Sequence, residues 1–284
     1  MNIRSWLVFL LMAYAAPSLS WNAMGHRIIM QIALDNMTPH AIQRFNDYNQ
    51  VQGNKEGQAS LLDAACWLDA CRRAYRGRFD HMHYIDIPFS EHIFPLLRAH
   101  KPALMNALIA IEQSRAVLLE NNVSPTERAI SLRILLHVVG DVHQPLHAAT
   151  RISKKYPNGD KGGNQFYLQK NGVAKNLHAY WDRGGGSLLV KSKRSMTLAI
   201  KNKAHDLEKQ WPCHDLSVKF EPQGWIEESY LIAKSKAYSP LKKHRPTRLY
   251  QTMVKELTDE RLSLAGCRLA FLLNEIDKTL SIAL

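Results

Sequence analysis

Apolar residues recur at three- and four-residue spacing along most of the chain, the pattern of helices that bury one face. The pattern predicts helices over 25–36, 38–46, 59–71, 103–121, 124–139, 188–211, 223–237 and 249–282. Ser124-Pro125-Thr126-Glu127 marks one helix start clearly: serine caps, proline takes the first helical position, and glutamate can reach back to the cap. One stretch follows a different rule. Gln165-Phe166-Tyr167-Leu168, followed by Asn171-Gly172, predicts a small β-hairpin over 164–173. With no internal repeat, low-complexity tract or linker, the pattern reads as an all-α, mainly helical single domain over 21–284.

Residues 1–20 stand apart. Arg4 is their only charge, 6–16 form a short apolar core, and Ser18-Leu19-Ser20 offers small residues for cleavage, so the segment reads as a secretory signal that is removed. The apolar run is too short to span a bilayer comfortably. Secretion or a periplasmic location follows, with no stable membrane association.

The chemistry concentrates in the tract from His137 to His147. His137 and Asp141 are four residues apart, so a helix projects both from one face, and Pro145 lets His147 turn back toward them. The flanking residues are apolar, and a buried histidine or aspartate must be paired, hydrogen-bonded or bound to metal. A core helix whose polar groups are satisfied by neighbours fits this pair equally well. His178 and Asp182 repeat the four-residue spacing, and two such pairs plus His147 favour metal. Imidazole and carboxylate without thiolate suit zinc, with manganese and iron as alternatives. Cleavage after Ser20 would also give Trp21 a free α-amine, which with its carbonyl oxygen and His26 could form a further site. The alternative is that Trp21 packs in the core and His26 is incidental.

Trp21-x-x-x-Gly25-His26, Trp67-Leu68-Asp69, His83-Tyr84-Ile85-Asp86, the His137 to His147 tract, Gly162-Gly163-Asn164 and Asn176-Leu177-His178-x-x-Trp181-Asp182 occur in a fixed order. In that order the chain resembles the single-strand-specific type I zinc nucleases of fungi, plants and bacteria, which share the zinc phospholipase C fold. The resemblance covers nearly all of 21–284. It implies three zinc ions. One is held by Asp69, His83, His137 and Asp141; a second by the Trp21 amine and carbonyl, His26 and the bridging Asp141; the third by His147, His178 and Asp182. It further implies catalytic roles for Arg72, Asp86 and Asp141; single-strand preference follows if a base leaves its stack and lies against an aromatic such as Tyr84, with Asn164 offering amide hydrogen bonds to its edge. A guanidinium can neutralise a phosphoryl oxygen, and a carboxylate can orient or deprotonate a water.

His81 competes with His83 as a ligand; His83 is preferred for its His-x-x-Asp relation. His143 reads as a hydrogen-bonding residue behind the ligands. Arg183, and a longer basic loop at 148–161, depart from the family's pattern near the expected cleft.

The net charge of +12 falls to +11 when Arg4 leaves with residues 1–20, a sign that suits a polyanion. Lysine runs such as Lys191-Ser192-Lys193-Arg194 and Lys242-Lys243-His244-Arg245 are also explained as solvated faces. Cys66, Cys71, Cys213 and Cys267 allow two disulfides in three pairings, though Cys66 to Cys71 would be stretched within one regular helix. The expected activity is zinc-dependent hydrolysis of single-stranded DNA and RNA, and of 3′-nucleotides, by a monomer. Alternatives are a zinc phospholipase C on the same scaffold and a non-catalytic, metal-stabilised binding protein.

Overall fold

The computed structural model describes residues 21–56, 58–90, 102–189, 196–216, 219–239, 241 and 244–282. The segment 1–20 read as a signal, Lys191 to Arg194, and Lys242 and Lys243 lie outside the described residues. Ten α-helices are found among those described: α1 Ala23–Asn36, α2 Pro39–Glu56, α3 Leu61–Ala64, α4 Trp67–Ala70, α5 Ala107–Leu119, α6 Pro125–Asp141, α7 Leu177–Asp182, α8 Met196–Gln210, α9 Pro222–Ile232 and α10 Arg248–Ile282.

Helix α6 is the axis of the domain. It starts where the sequence predicts, with the Ser124 hydroxyl accepting from Glu127 N–H and the Glu127 carboxylate accepting from Ser124 N–H. From Leu132 to Asp141 every residue is buried, because α2 and α5 pack on it from two sides and α10 and α1 close it off. Helix α1 lies in turn along α10 and α8. Its contact with α10 is close because Gly266 carries no side chain; a Cβ there would come within 2.6 Å of Ile32. A disulfide from Cys213 to Cys267 ties the turn after α8 to α10.

Three expectations are corrected. The helix predicted over 59–71 is two short helices, α3 and α4, broken at Ala65-Cys66. The break leaves the Ala65 carbonyl to accept from His137 Nδ1 at 2.7 Å instead of from the backbone one turn later. The hairpin over 164–173 does not form. Its place is taken by a single antiparallel bridge between Tyr167 and Asn176, and the only sheet among the described residues is parallel, β1 Ile87–Phe89 against β2 Ala149–Arg151. The expectation of two disulfides gives way to one: Cys66 and Cys71 remain thiols, with Cys71 Sγ on the Leu68 carbonyl.

Smaller shifts accompany these. Helix α2 runs on to Glu56, ten residues beyond its predicted end at Asn46, and the helix beginning at Pro222 passes into a π-helical turn over Ala233–Tyr238. No helix among the described residues is long and apolar enough to cross a membrane.

Candidate metal centre

The elements that matter converge on the C-terminal end of α6. Asp141 is its last residue, His137 lies one turn earlier, and a 3-10 turn, Pro145–His147, follows at once. The parallel sheet brings His83 alongside: Ile85 N–H donates to the His147 carbonyl at 2.8 Å, and His147 Nδ1 donates to the His83 carbonyl at 2.6 Å. Helix α1 supplies His26, α4 supplies Asp69, and α7 supplies His178 and Asp182. Asn176 caps α7 by accepting from Ala179 N–H, which fixes where that helix begins.

Three groups could hold a metal ion: His26 with Asp69 and His137; His83 with His137 and Asp141; and His147 with His178 and Asp182. The first two overlap through His137. Asp141 lies between His26 and His83, with Oδ1 3.4 Å from His26 Nε2 and Oδ2 3.0 Å from His83 Nδ1. Asp69 Oδ1 stands 3.9 Å from both His83 Nδ1 and His137 Nε2. In the third group Asp182 Oδ1 is 3.6 Å from His178 Nε2.

The donor set fits a cation on a physical test. His147 Nδ1 faces the His83 carbonyl and His178 Nδ1 faces the Gly162 carbonyl, and a carbonyl only accepts, so both Nδ1 atoms carry hydrogen. Their Nε2 atoms are left facing each other at 3.2 Å. In two neutral imidazoles that contact sets lone pair against lone pair, and a cation between them relieves it. His137 Nε2 meets His83 Nδ1 at the same 3.2 Å, with His137 Nδ1 similarly tied to Ala65. Asp141 Oδ1 and His83 Nε2 are buried without a hydrogen-bond partner.

The electrostatics point the same way. Burial, reinforced by His137, lowers His26 to about 4, and burial with His147 lowers His178 to about 3. Those two imidazoles are therefore neutral donors. Against the same burial, Asp141 and Asp69 raise His137 to about 9, so a proton is retained where a cation would satisfy the same carboxylates. Asp141 is held well below the ordinary carboxylate range despite burial, by His137 and His147. Burial, with Asp69 and Asp141 nearby, lifts Asp182 well above it.

The remaining sequence candidates have definite places. Trp21 is fully buried, its indole N–H donating to the Gly140 carbonyl at 3.0 Å, and the next amide, Asn22 N–H, donates to the Asp182 carbonyl at 3.1 Å. Trp21 is thus tied by its ring to the residue before Asp141 and by the next amide to Asp182. Gly140 leaves room for His26 there; a Cβ would approach His26 Nδ1 to 3.0 Å and press the ring aside. Burial and the charge of Asp160 raise Asp86 to about 7, partly offset by Lys161. Arg72 Nε is bonded to Asp80 at 2.8 Å. Tyr84 is half-buried with its hydroxyl 3.2 Å from His81 Nδ1, so His81 faces outward while His83 joins the cluster. Asn164 donates through Nδ2 to the Lys161 carbonyl at 2.8 Å. His143 stands apart from the clusters, with Nδ1 on the Val139 carbonyl and Nε2 on Arg268. Arg183 is exposed and donates to the Val173 carbonyl.

Two residues gave no sign of their roles in the sequence. Gln144, inside the main tract, donates through Nε2 to Asp182 Oδ1 at 2.6 Å while Oε1 accepts from Leu146 N–H at 2.6 Å. Asp160, two residues before Gly162, is fully buried and accepts from Gly163 N–H. Both lie within or beside motifs already singled out, which was the available signal.

Buried imidazoles and carboxylates gathered at one end of a helical domain are the donor set of a candidate multi-metal centre. The family described as S1/P1 Nuclease matches residues 21–278, and the chain belongs to that family. It is therefore a nuclease, a hydrolase acting on phosphodiester bonds. Similar proteins include Endonuclease 1 of Arabidopsis thaliana, 27% identical over 90% of this chain and 87% of its own length. Nuclease P1 of Penicillium citrinum is 25% identical over 57% of each chain. Nuclease S1 of Aspergillus oryzae is 25% identical over 63% of this chain and 61% of its own length.

Proposed function

We propose that the protein is a zinc-dependent endonuclease for single-stranded DNA and RNA that also removes the phosphate of 3′-nucleotides. The observation that carries its metal dependence is the 3.2 Å contact between His147 Nε2 and His178 Nε2, whose Nδ1 atoms carry hydrogen and whose burial keeps both rings neutral. Three zinc ions are assigned: one to Asp69, His83, His137 and Asp141, one to Trp21, His26 and Asp141, and one to His147, His178 and Asp182. Zinc so held supplies Lewis-acid stabilisation of charge on phosphoryl and leaving oxygens, and acidifies water.

The chain's own groups divide the remaining work. Asp86, raised to about 7, takes a proton from the attacking water near neutral pH. Arg72 supplies a fixed positive charge for a phosphoryl oxygen, oriented through its bond to Asp80. Tyr84 offers a ring face to a base and Asn164 an amide to its edge, which a stacked duplex base cannot reach. Exposed Lys154 and Lys155, with exposed Lys161 next to the 162–164 turn, suit a polynucleotide backbone. The mature chain begins at Trp21, is secreted or periplasmic, and acts as a monomer.

Metal-stripped and zinc-restored protein should be compared on single-stranded DNA, duplex DNA, RNA, a 3′-mononucleotide and phosphatidylcholine. Zinc should restore cleavage of both single strands and of the mononucleotide, with duplex cut far more slowly. Phosphatidylcholine turnover with neither nucleotide substrate cut would transfer the protein to phospholipase chemistry. No phosphodiester turnover at all would leave a binding protein.

A further inference from the structure

Asp160 has a carboxylate whose two oxygens differ in kind. Oδ1 accepts from Arg151 N–H at 3.0 Å, from Gly163 N–H at 3.1 Å and from the Tyr238 hydroxyl at 3.0 Å. Oδ2 is buried with no hydrogen-bond partner. The nearby Arg151 guanidinium does not cover it, lying instead over the rings of Phe166 and Tyr238. All three Oδ1 bonds could be kept by an asparagine oxygen in its place and none by alanine.

The Oδ1 bonds knot a turn that the chain could not hold otherwise. Lys161, Gly162 and Gly163 all have positive φ, at 55°, 58° and 81°, a conformation that costs a lysine side chain in particular. That turn carries the Gly162 carbonyl onto His178 Nδ1 at 2.7 Å and presents Asn164. On its other side Asp160 meets β2, whose partner β1 directly follows Asp86.

We propose that Asp160 is a positioning residue: its Oδ1 fixes the turn that orients His178 and Asn164. The inference rests on the zinc group assigned above to His147, His178 and Asp182.

The test compares Asp160→Asn and Asp160→Ala in zinc-loaded protein, counting zinc and following hydrogen exchange of the Gly163 amide, which donates to Asp160 Oδ1. Asp160→Asn should keep the zinc and the slow Gly163 exchange. Asp160→Ala should lose zinc from the His147, His178 and Asp182 group and exchange Gly163 faster. Full zinc content or unchanged Gly163 exchange in Asp160→Ala overturns the inference. Since exchange needs no metal, faster Gly163 exchange in Asp160→Ala, in a protein whose wild type holds no zinc at that group, would sink the zinc assignment and leave the inference about Asp160 standing.

Discussion

Replacing Gln144 by leucine removes one side chain that serves two sites at once. Its Oε1 is the acceptor for the buried Leu146 N–H, and its Nε2 holds Asp182 Oδ1, each at 2.6 Å. Leucine fills a similar volume, so packing is largely kept. An unsatisfied buried amide costs about 1–3 kcal/mol. In a domain of this size each kcal/mol corresponds to about 2–4 °C in Tm. Loss of the bond that orients a ligating carboxylate lowers metal affinity by about 10–100-fold. Because Asp182 belongs only to the group with His147 and His178, one zinc ion should leave early and two should stay. Zinc release followed against a graded series of chelator concentrations separates the two populations, and a melting curve in saturating zinc isolates the Leu146 cost. A single release midpoint identical to that of the wild type would refute the coupling of Gln144 to Asp182.

Three further outcomes follow from the geometry. Gly162→Ala puts a Cβ 2.4 Å from the Leu146 carbonyl oxygen at a φ of 58°, so the turn must move and carry His178 with it; zinc counting should show about one ion lost, and three retained ions would contradict the placement. In metal-free protein His137, raised to about 9 from an ordinary 6.5, binds more proton folded than unfolded between those values. Its stabilisation is complete below 6.5 and lost as pH rises through 9, whereas His26, lowered to about 4, costs stability as pH falls from 6.5 to 4. Melting temperature against pH should therefore peak near 6.5 without metal and lose its alkaline fall when zinc replaces the His137 proton; a flat metal-free profile would count against both histidines. Changing Lys154, Lys155 and Lys161 to alanine should flatten the salt dependence of oligonucleotide binding, by a log–log slope of about 0.7 for each phosphate no longer neutralised, and spare 3′-mononucleotide hydrolysis. An unchanged slope would make the loop a solvated insertion.

The helical pattern was readable because most helices bury one stripe, and α6, buried all round from Leu132 on, announced itself through its cap. The pattern misled where a tertiary contact outbid a local preference. The apolar spacing over 59–71 is helical throughout, yet the Ala65 carbonyl is taken by His137, seventy-two residues away in sequence. Over 164–173 the alternation is real, but Asn171 bonds its side chain to the backbones of Gln169, Val173 and Ala174, and Gln169 N–H goes to the His244 carbonyl, so pairing stops after one bridge. The parallel sheet left no signal because its strands are three residues each and one contains Pro88. Clustered histidines and aspartates were visible by spacing. Gln144 and Asp160 were not, because an amide or a carboxylate that orients another group has no ligand signature until the fold shows what it touches.

Anomalous diffraction at the zinc edge, from crystals of protein beginning at Trp21 and loaded with zinc, tests the central claim most directly. Three peaks are expected: two flanking Asp141, on its His83 and His26 sides, and one enclosed by His147, His178 and Asp182. Crystals in which those positions show no anomalous density, with zinc confined to surface histidines such as His81 or His244, would contradict the trinuclear assignment.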